Sequence, residues 1–252
     1  GYHFLRQLPQ NQLLELQVQA AQFLADVAPR VLGEFLRIQG PVRFLDIAHK
    51  YSRSQVQEHK QLVYNCLLLL NRCLMLSQEC QDIMENENAI ETFLTQFEYA
   101  EEEDTRTIVA RLISILCSNG NAVCQEQLRE QNGISLLVNI LAEYSEPRRT
   151  QVGRKAGLKL HAVNEAEDGP GGAVEESSGG QVSIMVVALL DCLAKALVGN
   201  TKSEIVLAKV EGIDSLLNLL EVSQMLQRVQ VLRLLSDLLE NKKLLTFLHA
   251  WR

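Results

Sequence analysis

The stretch REQNGISLLVNIL, residues 129–141, returns in altered form as AKVEGIDSLLNLL, residues 208–220. Each copy runs through a polar residue, a glycine and an isoleucine into leucines at helical spacing. Two upstream segments follow the same pattern, with a small or turn residue ahead of the first aliphatic: QGPVRFLDIA (39–48) and ENAIETFLTQF (87–97). Four copies in one chain predict an architecture of repeated units.

The spacing of the copies identifies the kind of repeat. Their first aliphatic residues are Val42, Ile90, Ile134 and Ile213, so the steps are 48, 44 and 79 residues. The last step contains a block between Tyr144 and Gln181 that is rich in Gly, Pro, Glu and Ser. Without this insertion of about 37 residues the step falls to about 42, and a period of 40–47 residues is typical of armadillo and HEAT solenoids.

Each period has the same internal order. A polar break and a short helix follow a long amphipathic helix, and the repeated signature then forms a third helix. The expected long helices are Gln12–Val27, Glu58–Leu76, Asp104–Cys117, Val182–Val198 and Met225–Leu239, and the expected short ones include Ala122–Glu130 and Ser203–Val210. Gly133 and Gly212 predict a tight junction before the signature helix, in which a left-handed backbone is allowed.

Three helices per period predict an all-α, right-handed armadillo solenoid of about four repeats plus partial ends. One unit cannot cover its own leucine face, so neighbouring units must stack. We expect residues 1–252 to form a single solenoid segment of a longer protein, because the chain starts at Gly1 and stops just after a promising helix, with residues 145–180 as a low-complexity insertion within it. The alternative is an ordinary helical bundle with leucines at the same spacings.

Charge and hydropathy exclude several partners. The net charge of −7 and the isoelectric point near 5.4 do not match nucleic acid or anionic lipid. The longest apolar run, Ile184–Leu190, is far shorter than a membrane span, and no secretory signal stands at the start. We therefore expect a soluble segment that binds neither nucleic acid nor membrane.

No pattern of catalytic, cofactor-binding or metal-binding residues stands out. The six cysteines (66, 73, 80, 117, 124 and 192) form no CxxC pair and the five histidines are scattered, so buried, reduced thiols are expected rather than zinc ligands. Nucleotide-binding, HExxH and GxSxG motifs are absent. The asparagine ladder of armadillo-type nuclear-import carriers would fall near Cys73, Cys117 and Ala196, where no asparagine stands. The sequence predicts a binding protein with no cofactor, not an enzyme.

The insertion is the one candidate binding segment that can be picked out by charge. Its second half is acidic, whereas its first half is basic and offers a site for an acidic partner, such as a tubulin tail. The basic candidates for partner binding are Arg148, Arg149, Arg154, Lys155 and Lys159. The alternative is a flexible, self-neutralising loop without a function, which a solenoid tolerates because loop-closure entropy grows slowly with length.

Two ends of the chain resemble the family of cilia- and flagella-associated protein 69, armadillo-repeat proteins of the axonemal central apparatus. The first is ELQVQAAQFLADVAPRVLGEFLRIQGPVRFL (15–45), with Val27-Ala28-Pro29 and Gln39-Gly40 as its specific residues. The second runs from Glu211-Gly212-Ile213 to Ala250-Trp251, and the insertion and residues 51–57 depart from the family pattern.

This resemblance implies a non-catalytic scaffold in the cytoskeleton of motile cilia and flagella. It implies a place in a large hetero-oligomeric complex, a projection on the central-pair microtubules, with other central-apparatus proteins as partners and tubulin as an indirect one. It implies no catalytic or cofactor residues. The alternative within the same fold is a soluble armadillo-type adaptor, a cargo receptor or a small-GTPase regulator.

Overall fold

The computed structural model describes residues 10–145 and 183–244, and every regular element in those ranges is a helix. The first unit is α1 (Gln10–Val27), a 3-10 turn (Ala28–Val31) with α2 (Leu32–Arg37), and α3 (Gly40–Tyr51). The second is α4 (Gln57–Leu76), α5 (Gln78–Asn86) and α6 (Ala89–Tyr99). The third is α7 (Glu103–Leu116), α8 (Ala122–Glu130) and α9 (Gly133–Ser145). The fourth is α10 (Ile184–Leu197), α11 (Thr201–Lys209) and α12 (Gly212–Val222). A further long helix, α13 (Met225–Leu239), and a 3-10 turn (Lys242–Leu244) follow.

These units stack side by side in two layers, which confirms the all-α armadillo-type solenoid. The long helices α1, α4, α7, α10 and α13 form one layer, each packing on the next. The signature helices α3, α6, α9 and α12 form the other layer in the same manner. We call the two outer surfaces the long-helix face and the signature-helix face. The predicted long helices agree with the observed ones to within two residues at each end.

The segment between α9 and α10 does not interrupt this order. Helix α7 packs on α10, and α9 packs on α12, although residues 146–182 separate the two units in sequence. The predicted step of about 42 residues without the insertion therefore describes the stacking correctly. Ser145, the first residue of the predicted insertion, still belongs to α9, and residues 146–180 of it lie outside the described residues.

One continuous apolar core runs along the stack between the two layers. The signature residues Ile90, Ile134 and Ile213 are buried, as are all six cysteines. The first unit is less well covered, since Val42 in the same register is only half-buried. Burial of each large aliphatic side chain contributes about 1.5–3 kcal/mol, so most of the stability comes from contacts between neighbouring units.

Local side-chain bonds explain where several helices begin. The Asn121 side chain accepts hydrogen bonds from the backbone of Val123 and Cys124 and caps α8. Asn200 caps α11 and Ser77 caps α5 in the same way. Gly120 and Gly199, both with positive φ, lie in the polar breaks that precede α8 and α11. Side-chain caps of this kind each stabilise a helix start by about 1 kcal/mol.

The junction before each signature helix contains one left-handed residue. The left-handed residue is not the glycine but the residue before it: Gln39, Asn88, Asn132 and Glu211 have φ between 50° and 59°. Gly133 and Gly212 are the first helical residues, and their φ values are ordinary. The junctions are therefore left-handed, as the sequence allowed, at the residue that precedes the helix.

Glycine is needed at these positions because the chain approaches itself closely. A Cβ on Gly133 would lie 2.9 Å from the backbone oxygen of Leu128, and one on Gly212 would lie 2.8 Å from that of Leu207. These contacts are too short for a side chain, so the predicted tightness of the junction is confirmed. The second unit carries Ala89 at this position, with Met84 five residues earlier where the third unit has Leu128.

Candidate partner-binding surfaces

Side-chain bonds to backbone carbonyls fix the distance between neighbouring units. Asn65 of α4 donates to the carbonyl of Val18 in α1 over 3.2 Å, and Gln96 of α6 donates to the carbonyl of Ala48 in α3 over 2.7 Å. Both amide side chains are buried. A buried amide left without its carbonyl would cost about 1–3 kcal/mol, so a unit that slides along its neighbour is penalised.

The same kind of bond holds the third and fourth units together. Gln125 of α8 donates to the carbonyl of Lys195 over 2.8 Å, and its own oxygen accepts from Asn200 over 3.3 Å. The hydroxyl of Ser114 donates to the carboxylate of Asp191 across the α7–α10 contact. The solenoid therefore presents one ordered surface on both sides of the segment that interrupts it.

Ion pairs also lie along the edges of the stack. Lys60 donates to Glu101 over 2.8 Å, and this hydrogen bond lowers the pKa of the Glu101 carboxyl. Arg129 lies beside Glu126 and, chiefly by hydrogen bonding, lowers the pKa of that carboxyl to about 2. These groups are partly or fully open to solvent, so water and salt screen their attraction and they add little to stability.

The long-helix face is a mixed polar and apolar surface of the kind that binds protein segments. Met75 at the end of α4 is 69% exposed, and Leu68 and Ile115 are partly open beside it. Arg111 of α7 and Lys195 of α10 are exposed on the same face. The face thus combines apolar contacts with separate positive charges.

The positions at which import carriers have their asparagine ladder do not reach this face. Cys73, Cys117 and Ala196 are buried in the core between the layers. A peptide lying on the long helices would not contact them. The sequence expectation that capture of the import-carrier kind is disfavoured stays a prediction.

The cysteines give no reactive site. Burial raises the pKa of the thiols of Cys66, Cys80 and Cys124 to about 12 and that of Cys73 to about 11, and it also raises the pKa of Cys117 and Cys192. A nucleophilic cysteine needs a lowered pKa and access to solvent, and these thiols have neither. Within the described ranges no group of three or more His, Cys, Asp or Glu side chains could hold a metal ion.

The basic residues predicted to bind a partner lie outside the described residues. The five residues fall between α9 and α10, and their role stays a prediction: Arg148, Arg149, Arg154, Lys155 and Lys159.

Among the helices that the structure describes, none combines the length and the hydrophobicity required to cross a bilayer. Sequence reasoning missed the two faces as such, because which residues remain exposed depends on how the units stack.

Comparisons with known proteins connect this fold with cilia. Residues 175–252 match the family described as cilia- and flagella-associated protein 69, ARM repeat. The matched part contains α10 to α13, and it confirms the resemblance expected from the sequence, to a cilia- and flagella-associated protein 69-like fragment.

Solved structures bear on the fold alone. Seven chains match, among them the crystal structure of an engineered protein from the Northeast Structural Genomics Consortium. That structure aligns with a TM-score of 0.51 at 14% identity and covers 90% of this chain and 92% of its own. No curated protein matches.

Proposed function

We propose that this cilia- and flagella-associated protein 69-like fragment is a non-catalytic scaffold of the motile cilium or flagellum. Its place would be a projection on the central-pair microtubules, where it holds neighbouring proteins through its helical surface. The observation that carries the proposal is the match of residues 175–252 to the armadillo repeat of that family. The family match supports the proposed location, and the stacking supports the proposed mechanism.

Rigid stacking supports a scaffold mechanism. Side-chain bonds such as those from Asn65, Gln96 and Gln125 to carbonyls of the neighbouring unit keep the helices in register. A surface held in this way binds partners with little loss of conformational entropy, because its side chains are already ordered. Such an array suits a part that must keep other proteins at fixed positions while an axoneme bends.

The partners proposed are other proteins of the central apparatus in a large hetero-oligomeric complex. Tubulin is a further candidate through its acidic tails, which would meet Arg148, Arg149, Arg154, Lys155 and Lys159. The part of the chain that the structure describes is exposed on two long faces, so several partners could bind at once.

Extraction of isolated axonemes tests the location. A central-apparatus scaffold stays with the axoneme through detergent and leaves only at high salt, and cross-linking mass spectrometry then identifies central-apparatus neighbours. A soluble adaptor or small-GTPase regulator would instead leave with the detergent-soluble fraction. Recovery there, with no cross-links to axonemal proteins, would refute the proposal.

A melting assay separates the scaffold from a regulator that binds nucleotide itself. Added GTP or ATP should leave the melting temperature of this chain unchanged. A ligand bound specifically at a hundredfold excess over its dissociation constant would stabilise the fold by about 2.7 kcal/mol. A shift of that size on addition of nucleotide would argue for the regulator.

A further inference from the structure

The signature-helix face is acidic from the second unit to the fourth. Helices α6, α9 and α12 contain no Lys, Arg or His, while their acidic residues are Glu91, Glu98, Glu143, Asp214 and Glu221. All five are exposed. Arg106 of α7 pairs with Glu143 over 3.3 Å, and among the described residues no ion pair involves the other four. The first unit differs, because α3 carries Arg43 and Lys50.

A groove crosses this face between α6 and α9. Its volume is about 430 Å³, and its lining residues are Glu91, Leu94, Thr95, Glu98, Gln131 and Leu136. Leu94 and Leu136 provide an apolar floor, and the two glutamates stand seven residues apart on one helix. Seven residues span about 10.5 Å along a helix, so the two carboxylates lie about two turns apart on the rim.

The polar side chains of the groove are partly bonded to one another, and one acceptor among them lacks a donor. Gln131 donates to Asn88, which in turn donates to Glu91 over 3.1 Å. The oxygen of the Gln131 side chain is buried and has no hydrogen-bond partner. The hydroxyl of Thr95 is already used as a donor to the backbone oxygen of Glu91. A ligand that donates hydrogen bonds and carries positive charge would satisfy these groups.

A basic side chain close to Gln131 in sequence does not fill this role. Arg129, two residues before Gln131, is held by Glu126 and Glu130. The negative potential over Glu91 and Glu98 is therefore left for another molecule to neutralise.

We propose that this groove docks an amphipathic helix of a partner protein, with Lys or Arg residues seven apart and an aliphatic side chain between them. The aliphatic group would cover Leu94 and Leu136, and the two cations would pair with Glu91 and Glu98. Charge complementarity and an apolar floor are the features that helix-in-groove recognition uses. This inference rests on the proposed scaffold function, because it names the class of partner that the scaffold takes.

A defined peptide tests the groove on the whole 252-residue chain. The probe is a fluorescein-labelled peptide of about 18 residues, five helical turns, with leucines on one face and lysines seven apart along its edge. We expect binding by fluorescence anisotropy that weakens as salt is raised, since screening acts within about 8 Å at physiological ionic strength. A peptide with Glu in place of Lys should not bind.

Two charge-matched double variants locate the site. Glu91→Gln with Glu98→Gln should weaken binding of the lysine peptide about tenfold at low salt. Glu15→Gln with Glu58→Gln changes the net charge equally on exposed residues of α1 and α4 and should leave the affinity unchanged. Carbodiimide coupling, which joins lysine amines to adjacent carboxylates, should link the peptide to Glu91 or Glu98.

Three results would overturn the proposal. One is equal weakening by the two double variants, which would show attraction by net charge alone. Another is coupling of the peptide to carboxylates elsewhere. The third is binding that appears only after Arg148, Arg149, Arg154, Lys155 and Lys159 are replaced by Gln, which would make the chain's own basic segment the occupant. Each of these could occur in a protein that still co-purifies with axonemes, so failure here is distinct from failure of the scaffold function.

Discussion

Replacement of Gly133 by alanine should destabilise the third unit. The added Cβ would lie 2.9 Å from the backbone oxygen of Leu128 and closer still to its side chain. The side chain can rotate, but the carbonyl belongs to α8 and moves only with the helix. Overpacking of this kind costs about 1–3 kcal/mol.

The control is Gly33→Ala in α2, where the added Cβ has no atom within 4 Å. Both substitutions restrict the unfolded chain in the same way, which stabilises by about 0.4–1 kcal/mol. The difference between the two variants therefore isolates the clash, at about 2 kcal/mol. In a chain of this size it corresponds to a difference of about 4–8 °C in melting temperature.

Urea unfolding followed by circular dichroism measures this difference, and hydrogen exchange locates it in α8 and α9. The second unit suggests a variant that restores stability, because it has Ala89 in place of Gly133 and Met84 in place of Leu128. Methionine is flexible and adapts to irregular spaces, so Leu128→Met should restore part of the stability of Gly133→Ala. If Gly133→Ala is as stable as Gly33→Ala, the close approach is not what selects glycine at these junctions.

Three further predictions concern the junctions, the contact across the inserted segment and the thiols. Glu211→Gly should stabilise the fold by about 1 kcal/mol in thermal unfolding, because Glu211 has a φ of 59°. Asn132→Gly should stabilise it less, since asparagine tolerates that conformation. Equal gains would contradict this explanation. Ser114→Ala should cost about 1 kcal/mol and lose its effect in an Asp191→Ala background, which has no acceptor for the hydroxyl, as a double-mutant cycle would show. Additive effects would rule out coupling across α7 and α10. The six native thiols should resist a thiol reagent at pH 8 and react in urea, and fast labelling of the folded chain would contradict their burial. The folded state keeps thiol protons that the unfolded state releases above about pH 9, so the free energy of unfolding should fall as pH rises from 9 towards 12. The fall is up to about 1.4 kcal/mol per pH unit for each thiol. A flat profile in denaturant titrations would refute this.

The repeat architecture was predictable because each unit repeats the same burial pattern. Helices α8 and α13 have the predicted bounds, and the steps between Val42, Ile90 and Ile134 gave the order of the stack. Periodicity reports which residues face the core, and in a solenoid the same faces recur in every unit.

The junctions and the groove were not predictable in the same way. A glycine in a sequence is compatible with a left-handed backbone or with a close approach, and only the coordinates of Leu128 and Leu207 show that the second applies. The acidic face is visible in the sequence as three helices without basic residues, but Glu91 and Gln131 meet only when α6 and the residues ahead of α9 are packed together. The basic candidates of the insertion stay a prediction.

The neighbouring positions of α7 and α10 also have a consequence for synthesis on the ribosome. In the first two units each long helix is covered as soon as the next unit leaves the exit tunnel. The surface of α7 that α10 covers must instead wait until residues 146–182 have been synthesised. At 5–20 residues per second these 37 residues take about 2–7 s to translate. During that interval this apolar surface of the nascent chain is exposed to solvent. Ribosome-associated chaperones should therefore bind the nascent chain at this stage.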